Sequence, residues 1–150
     1  MTSVLAPCPG RVFGITEVSD PVFAQELVGP GVAIDPSPGR TTVVAPVAGT
    51  ILKLHPHAFA MATPEGLGIL VHLGINTVRL DGAGFELIAT EGSAVAAGDP
   101  MVTWDPSGIS GADITTTVMV VVLERPAGTV YSPVLGKDVS AGEPLFSVDD

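Results

Sequence analysis

Glycine and proline interrupt this chain so often that no long helix fits between them. Eighteen glycines and fourteen prolines are spread along 150 residues, and Val, Ile and Thr fill the intervals. Short β-forming runs bounded by turn residues are typical of β-sandwiches and β-barrels. The sequence therefore predicts an all-β antiparallel sandwich or barrel with short helical turns. Because 46% of the residues are hydrophobic, the chain can bury a sizeable core, and we expect one domain over residues 1–150.

The β-forming runs predict where the strands lie. We expect strands at residues 4–15, 42–45, 49–54, 58–63, 67–73, 101–104, 116–123, 128–131 and 145–148. Short helical turns are predicted at residues 21–27 and 75–79.

Two internal recurrences accompany this pattern. Residues 95–105, which contain Gly-Asp-Pro, recur 44 positions later at 139–149, which contain Gly-Glu-Pro. Residues 45–51 also resemble residues 125–130, since each segment has a proline followed by a Gly-Thr pair. The recurrences predict an internally duplicated strand-turn-strand motif. The alternative is that these tripeptides are merely common turns.

Charge and composition exclude several classes of function. Sixteen acidic against six basic residues give a net charge of −10, which repels nucleic acid and anionic lipid and favours a basic protein surface as partner. The longest apolar run, at residues 118–123, is far shorter than the roughly 20 residues of a membrane helix. No charged signal peptide begins the chain, and its one cysteine, Cys8, cannot form an internal disulfide. We therefore expect a cytoplasmic protein in which Cys8 is structural.

The three histidines are the candidate reactive groups. His72 lies in a β-type apolar run, where strand periodicity puts it on the face opposite Ile69, Val71 and Leu73. His55 and His57 lie together upstream. Neutral imidazole is both a nucleophile and a metal ligand near pH 7. A lone strand histidine is more often structural, so the surrounding motif has to decide.

That motif is extensive. Its segments are Val44-Ala45-Pro46-Val47-Ala48-Gly49-Thr50-Ile51, His57-Ala58-Phe59, residues 66–78 with Val71-His72-Leu73-Gly74-Ile75, Leu80-Asp81-Gly82-Ala83-Gly84-Phe85, and the upstream residues 20–34. Together they resemble the glucose-type enzyme IIA of the bacterial phosphoenolpyruvate-dependent sugar phosphotransferase system. The resemblance implies a phosphocarrier with an antiparallel β-sandwich fold. It also implies that His72 accepts a phosphoryl group from the phosphohistidine of HPr and passes it to a cysteine of a permease's IIB domain. His57 would stabilise the phosphoryl oxygens.

The same resemblance implies the surface that docks partners. Its residues are Asp20, Val22, Phe23, Val28, Phe59 and Asn76. Core packing is the alternative for each apolar member. Two positions depart from the family: Asn76 stands where aspartate is usual, and His55 stands where a hydroxyl residue, often Thr, is usual. His55 either substitutes for that hydroxyl or points to solvent.

The implied partners are HPr, a IIB domain and, as for relatives, regulatory target proteins. No cofactor and no nucleic acid is expected, and contact with the membrane would occur only through the permease. We expect no resident metal, although His57 and His72 could bind zinc adventitiously or with a partner. Two alternatives stay open: a zinc hydrolase that uses His55, His57 and His72, and a biotinyl- or lipoyl-type carrier. The carrier needs a lysine at a hairpin tip, and neither Lys53 nor Lys137 lies in such a context.

Overall fold

A computed structural model describes residues 1–149. Within them the chain forms thirteen β-strands, one short α-helix and three 3-10 turns. The strands are β1 (Thr2–Leu5), β2 (Gly10–Gly14), β3 (Gly31–Pro36), β4 (Thr41–Val44), β5 (Gly49–His55), β6 (Ala58–Ala62), β7 (Gly68–Ile75), β8 (Phe85–Leu87), β9 (Ala94–Val95), β10 (Pro100–Trp104), β11 (Thr115–Val122), β12 (Asp138–Val139) and β13 (Pro144–Val148). The helix α1 spans Pro21–Ala24, and the 3-10 turns span Ile15–Glu17, Thr77–Leu80 and Pro106–Gly108.

All strand pairs are antiparallel, which confirms the predicted fold class. The large sheet has eight strands in the order β12-β2-β3-β11-β7-β6-β5-β9. A three-stranded sheet, β4-β10-β8, and a two-stranded sheet, β1-β13, pack over one of its faces. Among the residues described, no helix is long and apolar enough to cross a membrane.

Two apolar cores lie on opposite faces of the large sheet. The main core joins the large sheet to the two small sheets, and it contains Ile69, Val71 and Leu73 of β7. The second core lies under α1. Its buried residues are Ile15, Val18, Phe23, Ala33, Ile75, Met119 and Val121. Residues alternate along β7 as the sequence predicts, so His72 lies on the face of the second core.

The duplication is present in the structure, but its second pairing differs from the prediction. β4 pairs with β10 as β1 pairs with β13: Thr41 faces Trp104 and Thr2 faces Val148, and both ladders contain a bulge near the proline. Gly98 donates its backbone N–H to Ala45, and Gly142 donates to Ala6 in the same way. The structural counterpart of residues 45–49 is therefore residues 6–10, not 125–130. The match to residues 125–130 is a resemblance between turns alone.

Several predicted strands differ from those observed. The strand expected at residues 4–15 is two strands, because Pro7 and Pro9 lack a backbone N–H to continue the ladder. Residues 128–131 form no strand in the described chain, and Tyr131 is exposed. β3 was not predicted because Val32, Ala33 and Ile34 are all buried and show no alternation. β8, β9 and β12 have two or three residues each, too few for periodicity to reveal. The helical turn at 21–27 is confirmed in shorter form as α1, and the turn at 75–79 is present as a 3-10 turn shifted to Thr77–Leu80.

Candidate functional site

His57 and His72 meet where the β5–β6 hairpin lies beside β7. Residue 57 occupies the tight turn between the two hairpin strands, and its carbonyl accepts a hydrogen bond from Leu73 N at 2.6 Å. Ala58, the next residue, faces His72 across the β6–β7 ladder. The two imidazole centroids are 5.3 Å apart, with the rings at 72°. The structure thus brings together the two histidines that the sequence selects.

A backbone carbonyl sets the tautomer of His72. Its Nδ1 lies 2.5 Å from the carbonyl oxygen of Gly74. Because a carbonyl oxygen only accepts hydrogen bonds, Nδ1 carries the proton in neutral imidazole and Nε2 carries the lone pair. Gly74 reaches this position with φ of +88°, a conformation that glycine adopts without strain. Sequence reasoning gave Gly74 only as part of the motif around His72, although a glycine inside a strand pattern signals a bulge or close backbone approach.

Burial keeps His72 neutral. The low-polarity surroundings lower its pKa below the ordinary value of 6.5, while the Gly74 hydrogen bond and the negative charge of Asp20 act in the opposite direction. The imidazole is therefore neutral at pH 7, with its proton on Nδ1 and a free lone pair on Nε2. A nucleophile must be in this state before it attacks.

His57 is more exposed than His72, and its pKa is also lowered. Desolvation is the largest cause, followed by repulsion from His72 and then from His55. Protonating His57 beside a neutral His72 is therefore unfavourable. A dianionic group on His72 would reverse that balance, because an anion nearby favours the protonated imidazole.

Two of the predicted docking residues, Asp20 and Phe23, lie next to His72. Asp20 caps α1 by accepting a hydrogen bond from Val22 N at 2.9 Å. Phe23 is buried, and its ring centroid lies 5.3 Å from that of His72. Val22 is 46% exposed, whereas Val28 is half-buried against the second core. The apolar contact of His72 on this side is thus the Phe23 ring of α1.

Phe59 does not lie on that surface, contrary to the prediction. It faces Val71 across the β6–β7 ladder and lies in the main core, where it is 1% exposed. Successive strand residues point to opposite faces, so Phe59 cannot share the face of its neighbour Ala58. Its role is to hold β6 against the main core.

Asn76 lies at the rim of the site in the left-handed conformation, with φ of 62°. Its Nδ2 donates a hydrogen bond to the carbonyl oxygen of Asp113 at 2.8 Å. Asp20, Asn76 and Asp113 line one cavity of about 350 Å³, together with Ser19, Pro21, Ile75 and Thr115. Sequence reasoning missed Asp113, because 37 residues separate it from Asn76.

Two exposed apolar side chains lie close in sequence to site residues and were also missed. Leu27, which follows α1, is 70% exposed, and Val78, in the turn after Asn76, is 60% exposed. The available signal was the position of each residue: a large apolar side chain in a turn next to a segment that carries site residues. Isolated exposed apolar residues are ordinary, so this signal is weak.

A metal site is not assembled by the residues described. Within residues 1–149 no group of three or more His, Cys, Asp or Glu side chains is placed to hold a metal ion. His55 stacks on His57 at a centroid distance of 5.8 Å and is exposed. Lys53, one of the lysines weighed for a carrier, lies inside β5 opposite Ala60 rather than at a hairpin tip.

Comparison with known proteins points to one family. Residues 2–127 match the family model described as the phosphoenolpyruvate-dependent sugar phosphotransferase system, EIIA 1. The chain is 38% identical over 142 residues to the glucose-specific EIIA component of Bacillus anthracis, a match that covers 93% of this chain and 85% of that protein. It is 42% identical over 120 residues to the glucose-specific EIICBA component of Streptococcus pneumoniae, covering 79% of this chain and 16% of that protein.

A solved structure gives the same result. The glucose permease IIA from Mycoplasma capricolum superimposes with a TM-score of 0.82 at 33% sequence identity. The match covers 96% of this chain and 93% of the Mycoplasma chain. The two chains therefore share one fold over nearly their whole length.

Proposed function

Because the chain belongs to the EIIA 1 family of the phosphoenolpyruvate-dependent sugar phosphotransferase system, we propose that it carries a phosphoryl group on Nε2 of His72. EIIA components are phosphotransferase components of sugar transport, and that much follows from membership. Beyond membership, we propose which atom accepts the phosphoryl group, which protein donates it and which group accepts it next. The observation that carries it is the hydrogen bond from His72 Nδ1 to Gly74, which leaves Nε2 as the nucleophilic nitrogen.

The donor in this proposal is the phosphohistidine of HPr. The lone pair of His72 Nε2 forms a new P–N bond as the P–N bond to the donor imidazole breaks, so one phosphoryl group moves and nothing is oxidised or hydrolysed. Transfer of this kind is catalysed mainly by positioning and electrostatics. The net charge of −10 and the carboxylates of Asp20 and Asp113 at the rim favour a donor with a basic docking surface.

His57 has the supporting role. Its ring lies 5.3 Å from His72, close enough for a protonated imidazole to donate a hydrogen bond to an oxygen of the transferred group. The incoming dianion makes that protonation favourable, although His57 is neutral before transfer. His57 therefore positions and stabilises the phosphoryl group and does not attack it.

The onward acceptor in this proposal is a cysteine thiolate of a IIB domain. The P–N bond to His72 breaks as a P–S bond forms, and neutral His72 is regenerated. The name of the Streptococcus protein joins EIIC, EIIB and EIIA, which supports a IIB domain as the neighbour in the reaction sequence. We propose that the reaction takes place in the cytoplasm and that the permease, not this chain, binds the sugar.

The experiment is a reconstitution. The protein is incubated with radiolabelled phosphoenolpyruvate, enzyme I and HPr, and the products are separated under alkaline conditions. We expect one acid-labile phosphoryl group per chain, which depends on HPr. His72→Gln should keep the fold and incorporate no label. Label on His72→Gln would refute the assignment, and stable incorporation without HPr would refute the donor.

A further inference from the structure

A third imidazole extends the site beyond the two histidines already assigned. His55 is the last residue of β5 and faces Ala58 across the hairpin ladder. Its ring stacks on that of His57, with centroids 5.8 Å apart and an interplanar angle of 23°. Phe23, His72, His57 and His55 thus form a continuous row of rings that runs from the buried second core to solvent.

The His57 imidazole is held by ring contacts rather than by hydrogen bonds. Within residues 1–149 no hydrogen bond reaches either of its ring nitrogens, in contrast to His72. Its backbone is fixed, because its carbonyl accepts from Leu73 N, but that bond does not restrict the side-chain rotamer. The ring contacts that remain are the edge contact with His72 and the stack with His55.

We propose that His55 positions the imidazole of His57 by stacking against it, so that His57 faces the phosphoryl group on His72. The inference rests on the proposed function, and it adds a positioning residue to the reaction. A stabilising donor is effective only when it points at the developing charge before transfer begins. His55 supplies this orientation from the solvent side of the row, where it provides the second of the two ring contacts of His57.

The electrostatic contribution of His55 acts in the opposite direction to the stack, because protonated His57 is the form that donates to the phosphoryl oxygen. Repulsion by His55 is one of the causes that lower the pKa of His57. His55 therefore favours a neutral His57 in the unphosphorylated protein. A phenyl ring in the same place would keep the stack and remove the charge, which separates the two contributions.

The test compares His55→Ala with His55→Phe. Thr50→Ala is the matched control, since Thr50 is exposed on the same strand but lies away from the turn. In single-turnover transfer from phosphorylated protein to a IIB cysteine, we expect His55→Ala to be roughly two- to tenfold slower, the range that a ring–ring contact supports. His55→Phe should recover most of the rate. Equal rates for His55→Ala and the control would overturn the proposal.

A double variant shows whether His55 acts through His57. In the His57→Gln background, His55→Ala should cause no further loss of onward transfer, because the ring that it positions is gone. A full additional loss would overturn the proposal in favour of an independent role for His55.

Nuclear magnetic resonance of the His57 ring gives a readout that needs no partner protein. We expect His55→Ala to shift and narrow the His57 ring signals through loss of the stack, whereas Thr50→Ala should leave them unchanged. This result is independent of phosphoryl transfer. If the wild-type protein takes no phosphate from HPr, the proposed function fails, and the ring signals still decide whether His55 positions His57. Unchanged His57 signals in His55→Ala would overturn the inference.

Discussion

Replacing Gly74 with alanine tests whether one buried glycine holds the reactive histidine in its tautomer. Gly74 has φ of +88°, and its carbonyl oxygen accepts a hydrogen bond from His72 Nδ1–H. A Cβ at this position would lie 2.4 Å from Cγ2 of Thr77 and 2.6 Å from the backbone oxygen of Thr115. The second contact is with backbone of β11, so a rotamer change cannot relieve it. The variant therefore combines conformational strain with steric overlap.

The two costs can be separated within the same chain. Gly66 also has a positive φ, of +89°, but a Cβ there would meet no atom within 4 Å. Gly66→Ala should therefore cost only the conformational term, about 1–2 kcal/mol. Gly74→Ala should add the overpacking term of about 1–3 kcal/mol. We expect a total loss of about 2–5 kcal/mol, a large fraction of the ~5–15 kcal/mol that stabilises a typical domain.

The assay is urea unfolding of both variants and the wild type, with nitrogen-15 spectra of the histidine rings. Gly74→Ala should unfold at lower urea than Gly66→Ala, and His72 should show a mixture of tautomers once the Gly74 carbonyl is displaced. Phosphate acceptance from HPr should slow in parallel. If Gly66→Ala is as destabilising as Gly74→Ala, steric crowding at residue 74 is not the cause. A single unchanged His72 tautomer in a folded Gly74→Ala protein would refute the role of the carbonyl.

Three further predictions concern charge and transfer. His57→Gln should still accept phosphate but pass it to a IIB cysteine about 10²-fold more slowly, as for loss of one transition-state donor; equal single-turnover rates would contradict this. Because His57 and His72 have pKa values below the ordinary 6.5, the unfolded chain binds more protons just below that pH. The contribution of these histidines to the free energy of unfolding should therefore be highest above pH 6.5, fall as the pH drops through 6.5, and level off below the lowered pKa values. Urea titrations at several pH values measure this dependence. The same slope of unfolding free energy against pH in His72→Gln and wild type would count against the prediction. Asn76→Asp should lose the hydrogen bond to Asp113 and about 0.5–1.5 kcal/mol of stability. It should also accelerate transfer from HPr a few-fold at low salt, a gain that shrinks at about 0.5 M salt; a slower low-salt rate in rapid-quench experiments would show that the donor is matched to asparagine.

Local patterns were sufficient for part of this account. The alternation along residues 67–73 correctly put His72 on the face opposite Ile69, Val71 and Leu73. The turn beginning after Asp20 was also predictable, because an aspartate before proline is a common helix start. Both features depend on residues that are close together in the sequence, so local sequence patterns are enough to predict them.

The same reading was wrong where a partner strand decides the outcome. Phe59 was assigned to the docking surface, yet its register against Val71 puts it in the main core. The duplication was paired with residues 125–130, whereas the ladders and turn hydrogen bonds match residues 6–10. Register across a sheet is a property of two segments, so neither segment reveals it alone.

The sequence by itself determined the fold class and the family, and it selected His57 and His72 as candidate site residues, because strand periodicity, turn residues and motif spacing are all local in the chain. Only the tertiary structure decided which nitrogen of His72 is free, which carbonyl holds Asn76, and that His55 stacks on His57. Those contacts are made by strand register and by the β5–β6 turn docking on β7. Long-range packing sets such geometry to fractions of an ångström, and no spacing of residues along the chain encodes that precision.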